Sequence, residues 1–520
     1  MALFSPDSAY LPEIIALNGR WLRNKAAVVA DRESLSWAAF AQRTSQVANG
    51  LLEAGLKHGD RVILLMDNSL EMAEAIFGTI RAGLTVVPLN VSVTDQTVRS
   101  MVIDSGARAV IASGQHVGRV ESIREELPAA IGERYFSVSS GAPAGWLAFS
   151  TMREAASPSP PNVRVAAADS CNIIYSSGTT GLPKGIVHSH ACRMAWANDM
   201  AIALRYHAGA RTLVPLGMYS NISWVAMLST VLAGGTLVIR SRFDQQDCLQ
   251  VMQDEKITHF AMVPLLYQRL LEYDGFDRYD LSSLQAYMCC GSPLGLPLKK
   301  AVIERIPGDL IELYGLTEGL VTILSPEDAE QKIESVGRPP PGQDIAIIDD
   351  DGMELPAGEA GEIAGSSRIM MSGYHNNAKE TEAATWLHPN GSRWLRTGDI
   401  GRVDEDGFLY LVDRKKDMII SGGQNIYPAD IEAVIGLHQD VRESAVIGLP
   451  SKTWGETPVA IVVRRPGSAL DAEDLTSWAN SRLGKQQRIA VTMLIDELPR
   501  NPNGKILKRE LRKQFASLDL

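Results

Sequence analysis

Four short apolar runs punctuate the first 112 residues: AAVVA (26–30), RVILLM (61–66), TVVPL (85–89) and RAVIA (108–112). They read as buried strands. Between two of them Met72, Ile76 and Ile80 share one helical face, with Phe77 beside it. Strand–helix alternation of this kind predicts an α/β layered domain around a largely parallel sheet.

At 520 residues the chain exceeds one ordinary core, so two or more domains are expected. SPSPPN (157–162) reads as an exposed break, and a second α/β stretch follows from 191 to about 350. The texture then changes. DEDGFLYLVDRKKDMIISGGQNIYP is turn-rich and charged. After it a helix is predicted over 428–435, strands near 444–447 and 459–463, a helix near 471–483 and a strand over 491–495. This predicts a large N-terminal α/β domain over 1–415 and a small α+β domain over 416–520, with the boundary inside VDRKKD. No internal repeat is found.

The apolar share is 45%, and 50 basic against 61 acidic residues leave a net charge of −11. That balance argues against a general nucleic-acid or membrane-surface binder. No apolar run is long enough to span a bilayer, and the first residues lack the pattern of a signal peptide. The five cysteines (171, 192, 248, 289, 290) form no CxxC and read as small packing residues in a reducing cytoplasm.

The stretch IIYSSGTTGLPKGIVHSH (173–190) concentrates hydroxyls and glycines around one cation, Lys184. Strand signals flank it, and Ser189 is placed to cap a following helix. Such a loop can turn backbone N–H groups inward around an anion, with hydroxyl donors and a lysine point charge added. Phosphate is the ligand that follows. The loop is not G-x-x-x-x-G-K-[ST], and the chain has neither G-x-G-x-x-G nor G-x-S-x-G. A P-loop NTPase, a dinucleotide oxidoreductase and an α/β-hydrolase therefore lose ground.

YSSGTTGLPKG resembles the phosphate loop of the adenylate-forming superfamily, which includes acyl-CoA synthetases, peptide-synthetase adenylation domains and beetle luciferases. ELYGLTEG (312–319), RTGDIG (396–401), DRKKDMIISGGQNIYP (413–428) and PRNPNGKILKREL (499–511) resemble four further motifs of that family, in its order. Five motifs in order exclude chance. The resemblance implies a large adenylate-forming domain and a small mobile C-terminal domain. It also implies a two-step reaction: a carboxylate attacks the α-phosphate of ATP to give acyl-AMP and pyrophosphate, and a thiol then takes the acyl group.

The resemblance also implies roles. Ser176, Ser177, Gly178, Thr179, Thr180, Gly181 and Lys184 would hold the β- and γ-phosphates. Glu318 would hold Mg²⁺ through oxygen, and Thr317 would donate to the α-phosphate. Tyr314 would stack on adenine, with Gly291, Ser292 and Pro293 shaping the other side, and Glu312 and Gly315 belong to the same nucleotide site. Asp399 would accept both ribose hydroxyls, and Arg414 would reach the ribose. Lys505 would neutralise the carboxylate and the α-phosphate as the anhydride forms. After adenylation the small domain would rotate about Lys416, and Gly422 and Gly423 would line the thiol tunnel.

The acid pocket is expected from Met218, Tyr219, Asn221, Cys290, Gly291 and Gly315. No acidic residue stands among 215–224, where amino-acid-activating relatives place an aspartate. A hydrophobic acid is therefore expected: aromatic, alicyclic or medium-chain fatty. His375, Ser451 and Asn501 depart from the family pattern. The expected activity is an acid–CoA ligase using ATP, Mg²⁺ and coenzyme A, with an acyl-AMP ligase that loads a separate carrier protein as the alternative. A homodimer and acetylation of Lys505 complete the expected partners.

Overall fold

The computed structural model of the chain describes residues 9–31, 33–139, 141–176, 183–421, 424–451, 453–485, 487–500 and 504–518. Two compact units are present: Met1–Ala329 with Pro339–Gln343 and Ser366–Thr385, and Glu330–Arg338 with Asp344–Gly365 and Trp386–Leu520. The units part earlier than the expected 415/416 boundary, because strand Leu409–Arg414 pairs back onto Arg393–Val403 and stays with the second unit.

The first unit holds two eight-stranded sheets. One is parallel from Ala26–Ala30 through Thr236–Ile239, Arg211–Val214, His259–Met262 and Ala286–Cys290 to Asp309–Leu316. Antiparallel strands Glu33–Ser36 and Leu320–Leu324 close its edges. The other carries Arg61–Leu65, Thr85–Pro88 and Ala109–Ser113 in parallel, and reaches Ser170–Ser176 and Lys184–Ser189. The run 26–30 thus belongs to a different sheet from the three apolar runs that follow it.

One core takes side chains from both sheets, Val28 and Leu237 from the first and Val62 and Leu64 from the second, together with Phe40, Ile76 and Phe77 of two helices. Helix Leu70–Arg81 starts at Ser69, whose hydroxyl accepts the Met72 N–H at 3.1 Å. Every residue in it except Glu71 is buried, so the single apolar face read from Met72, Ile76 and Ile80 is only part of what it covers. Burial of each large apolar side chain stabilises by roughly 1.5–3 kcal/mol. Glu74 is tolerated there because Arg43 (3.0 Å) and Arg153 (2.6 Å) pair with its two oxygens.

In the second unit a five-stranded sheet contains Arg393–Val403, on which Leu409–Arg414 pairs. A second sheet carries Gln424–Ile426, Ile419–Ser421, Gly455–Arg464 and Val441–Ser451, with Val491–Ile495 parallel to Gly455–Arg464. Helices Pro428–Ile435 and Ala472–Asn480 pack Ile431 and Leu475 onto Val446 and Val462. Both helices and the strands Val441–Ser451, Gly455–Arg464 and Val491–Ile495 answer to elements read from the sequence, with the second helix three residues shorter at its end, whereas strands Ile419–Ser421 and Gln424–Ile426 fall in the segment read as turn-rich. All five cysteines are free and buried. Among the described residues no helix is long and apolar enough to cross a membrane.

Candidate active site

Strands Ser170–Ser176 and Lys184–Ser189 run antiparallel with Ser176 opposite Lys184, which holds the two flanks of the expected phosphate loop side by side. Ser177, Gly178, Thr179, Thr180 and Gly181 lie outside the described residues. Ser189 caps helix His190–Ala203 by accepting the Cys192 N–H at 3.1 Å, as its position predicts. Lys184 is ion-paired with Glu380, and its ammonium lies 5.3 Å from the centre of the Tyr374 ring. Lys184, Glu380, Tyr374, Tyr175, His375 and Asn376 line a cavity of about 280 Å³. His375 holds this wall through its backbone, donating to Gly185 O at 2.7 Å.

Thr317 and Glu318 form the tip of a hairpin, because Leu316 pairs with Leu320 across Asp309–Leu316 and Leu320–Leu324. Gly319 completes the turn at φ +109°, where a Cβ would overlap the Ile369 carbonyl oxygen. The Tyr374 hydroxyl donates to Glu318 Oε1 at 2.8 Å, and Thr317 O accepts from His188 Nε2 at 2.8 Å. Burial and the Glu318 carboxylate both push the Tyr374 phenol up, so it stays a donor. Half-buried Tyr314 and neighbouring Gly315 sit in the same strand. Glu312 lies deeper: its carboxylate is buried in an ion pair with Lys299 of helix Leu296–Arg305.

Gly291, Ser292 and Pro293 follow strand Ala286–Cys290. Gly291 has φ +93°, and a Cβ on it would come 3.0 Å from Ile222 Cδ1 and 3.2 Å from Val263 Cγ1. Ile222, Val263 and Gly291 therefore converge, and Cys290 ends the strand just before them. Met218 is fully buried in the core, its N–H donating to Asn68 Oδ1 at 2.7 Å. Tyr219 folds its ring over Gly217.

In the second unit Asp399 and Arg414 are cross-strand partners, with Arg414 Nε 3.1 Å from Asp399 Oδ1. Beside Lys505, Arg500 and Ile506 form a bridge, and Leu507 N–H donates to Pro499 O at 2.8 Å. Asn501 lies outside the described residues, as do Gly422 and Gly423. The Lys505 amine is pulled down to about 7, chiefly by burial and then by the Arg414 guanidinium and the Lys416 ammonium, against Asp399 and Asp417. Burial also lowers Lys416.

Sequence reasoning missed several residues here. His188, Asn172 and Arg193 form a buried polar network below the hairpin tip. Tyr374, Glu380 and Lys299 touch expected site residues from segments distant in the chain. No local pattern marks any of them.

The AMP-binding enzyme family profile matches residues 18–375, and that of the AMP-binding enzyme C-terminal domain matches 430–505. The chain belongs to the AMP-binding enzyme family. This AMP-binding enzyme is 34% identical to a feruloyl-CoA synthase of Amycolatopsis sp, over 93% of this chain and 94% of that one. It is 32% identical to the long-chain-fatty-acid–CoA ligase FadD13 of Mycobacterium tuberculosis, over 93% of each chain. Its fold superposes on ATP-bound MatB from Rhodopseudomonas palustris with a TM-score of 0.89 at 27% identity, covering 98% of this chain and 99% of that one.

Proposed function

We propose that this chain is an ATP-dependent acid–CoA ligase acting on a hydrophobic carboxylic acid. In the first step a carboxylate oxygen bonds to the α-phosphorus of ATP, the bond to the bridging oxygen breaks, and pyrophosphate leaves. In the second the thiol sulfur of coenzyme A attacks the acyl carbonyl, AMP leaves, and the thiol proton passes to solvent.

The observation that carries this reading is Lys505, half-buried in one charged cluster with the Asp399–Arg414 pair. Asp399 offers two acceptor oxygens to a diol, and Arg414 keeps them oriented. Lys505 supplies positive charge where anions are to react, partly shielded from solvent. Lys184 serves the outer phosphates, with Ser176 and the loop that follows it, and Thr317 serves the α-phosphate. Glu318 fits a hard cation by its oxygens, and among the described residues no group of three or more His, Cys, Asp or Glu could complete a shell. Phosphate oxygens and water would then supply the other ligands. Mg²⁺, when bound, neutralises phosphate charge. Tyr314 and the 291–293 turn serve adenine. Lys416 is the hinge, and Gly422 and Gly423 admit the thiol arm.

The test is mass spectrometry on purified protein given ATP, Mg²⁺, CoA and a mixed pool of aromatic, alicyclic and fatty acids. One dominant acyl-CoA is expected. AMP and pyrophosphate without acyl-CoA would move the acceptor to a carrier protein.

A further inference from the structure

Arg193 is a fully buried cation with no carboxylate partner among the described residues. Burial pulls its guanidinium down to about 10, which leaves it charged at neutral pH. Nε donates to Asn172 Oδ1 at 2.7 Å, Nη1 to Asn221 Oδ1 at 2.8 Å, and Nη2 to His188 Nδ1 at 3.1 Å. Its guanidinium carbon lies 4.8 Å from the centre of the Trp224 ring.

The donor inventory orients every partner. A guanidinium only donates, so both asparagines turn their oxygens toward it. His188 must accept at Nδ1, and its Nε2–H then donates to Thr317 O. Burial and Arg193 hold this imidazole neutral. What remains is donors: the Asn172 amide N–H₂ is buried without a partner, and half-buried Asn221, whose oxygen is taken by Arg193, still has its amide N–H₂ to offer. The Ser220 hydroxyl, beside Asn221, is buried and unpartnered as well. Asn221 opens helix Asn221–Ala233, one residue before Ile222, whose side chain faces Gly291. A polar cluster rich in donors and carrying net positive charge therefore stands one residue along the chain from Ile222, whose side chain converges with Val263 on Gly291.

We propose that the acid activated by this enzyme carries, besides its reacting carboxylate, an acceptor oxygen that the Asn221 amide binds, with Arg193 as the residue that positions that amide. This rests on the ligase reading and narrows its substrate class to hydrophobic acids with a carbonyl, hydroxyl, ether or second carboxyl oxygen. A site with a built-in donor discriminates strongly against a ligand that leaves it unpaired, because the unmet donor keeps its full desolvation cost.

The test is acid-dependent exchange of pyrophosphate into ATP with matched acids: hexanoate against 5-oxohexanoate and adipate, and 3-phenylpropanoate against its 4-hydroxyphenyl analogue. In at least one framework the oxygenated acid is expected to show roughly tenfold or greater kcat/KM. The keto and carboxyl arms separate a neutral from an anionic oxygen. Asn221→Leu and Arg193→Met are expected to shrink that ratio toward one, a readout that loss of folded protein would not move. Equal kcat/KM within every pair for the unsubstituted enzyme, or an unchanged ratio in Asn221→Leu, overturns the proposed amide contact and leaves the ligase reading intact. No exchange with any acid overturns both.

Discussion

The Tyr374 hydroxyl donates to Glu318 Oε1 across 2.8 Å, joining residues 56 positions apart in sequence. The hairpin tip that presents Glu318 is thereby held from a strand of the other sheet in the same unit. Tyr374→Phe removes one donor to that carboxylate and leaves its charge less oriented. The Mg²⁺ concentration for half-maximal adenylation is expected to rise roughly three- to tenfold, at a stability cost of about 1 kcal/mol. A Mg²⁺ titration of pyrophosphate exchange, with denaturant unfolding alongside, checks both.

Lys184, proposed to serve the outer phosphates, is ion-paired with Glu380. A phosphate group must compete with that carboxylate. Glu380→Gln is expected to lower the KM for ATP several-fold with kcat little changed. Lys184→Ala is expected to raise the KM by an order of magnitude or more, since charge-assisted bonds to phosphate are among the stronger polar contacts. Steady-state kinetics in ATP decide it, and an increased KM in Glu380→Gln would contradict the competition.

Lys505 titrates near 7 in place of its ordinary 10.5, because burial and the cations Arg414 and Lys416 disfavour its charge. Between those values the folded chain binds fewer protons than the unfolded one at this site. Its contribution to stability therefore rises with pH across that window and is smallest below pH 7. In the proposed reaction the charged form is needed for adenylation; it is lost as pH rises through 7, and the negative charge of ATP is expected to restore it. NMR of ¹³C-methylated lysines should show one resonance with a midpoint near 7 that moves upward with ATP and is missing in Lys505→Ala. The same variant is expected to lose adenylation yet convert preformed acyl-AMP to thioester.

Glu312 and Lys299 are both buried and ion-paired with each other in the first unit. Removal of one partner strands the other charge, at a cost of about 3–5 kcal/mol. Lys299→Met should therefore lower the denaturant midpoint strongly. Lys299→Met with Glu312→Leu should recover most of the loss, because no charge is left stranded. Chemical denaturation of the two variants measures the difference.

The turn that carries Thr317 and Glu318 was legible because its needs are written in local backbone. Thr317, Glu318 and Gly319 are adjacent positions of one tight turn, and a turn writes its needs into three or four consecutive residues. Ser189 caps the helix that starts beside it for the same reason. Strand and helix runs were legible from their apolar periods, and so the α/β class and the elements of the small domain followed.

What the sequence could not show was which distant segments would meet. The run 26–30 looks like its neighbours, yet it pairs with 236–239 of another sheet, because a buried apolar strand carries no mark of its partner. Arg193 resembles any helical arginine. Only the packing of helices and sheets around it removes water and leaves Asn172, Asn221 and His188 as its shell. Chain-local chemistry determined the turns, the caps and the reactive motifs. Tertiary structure decided which charges are buried, what they face and therefore what they do, because desolvation depends on every element packed around a group and on none of them alone.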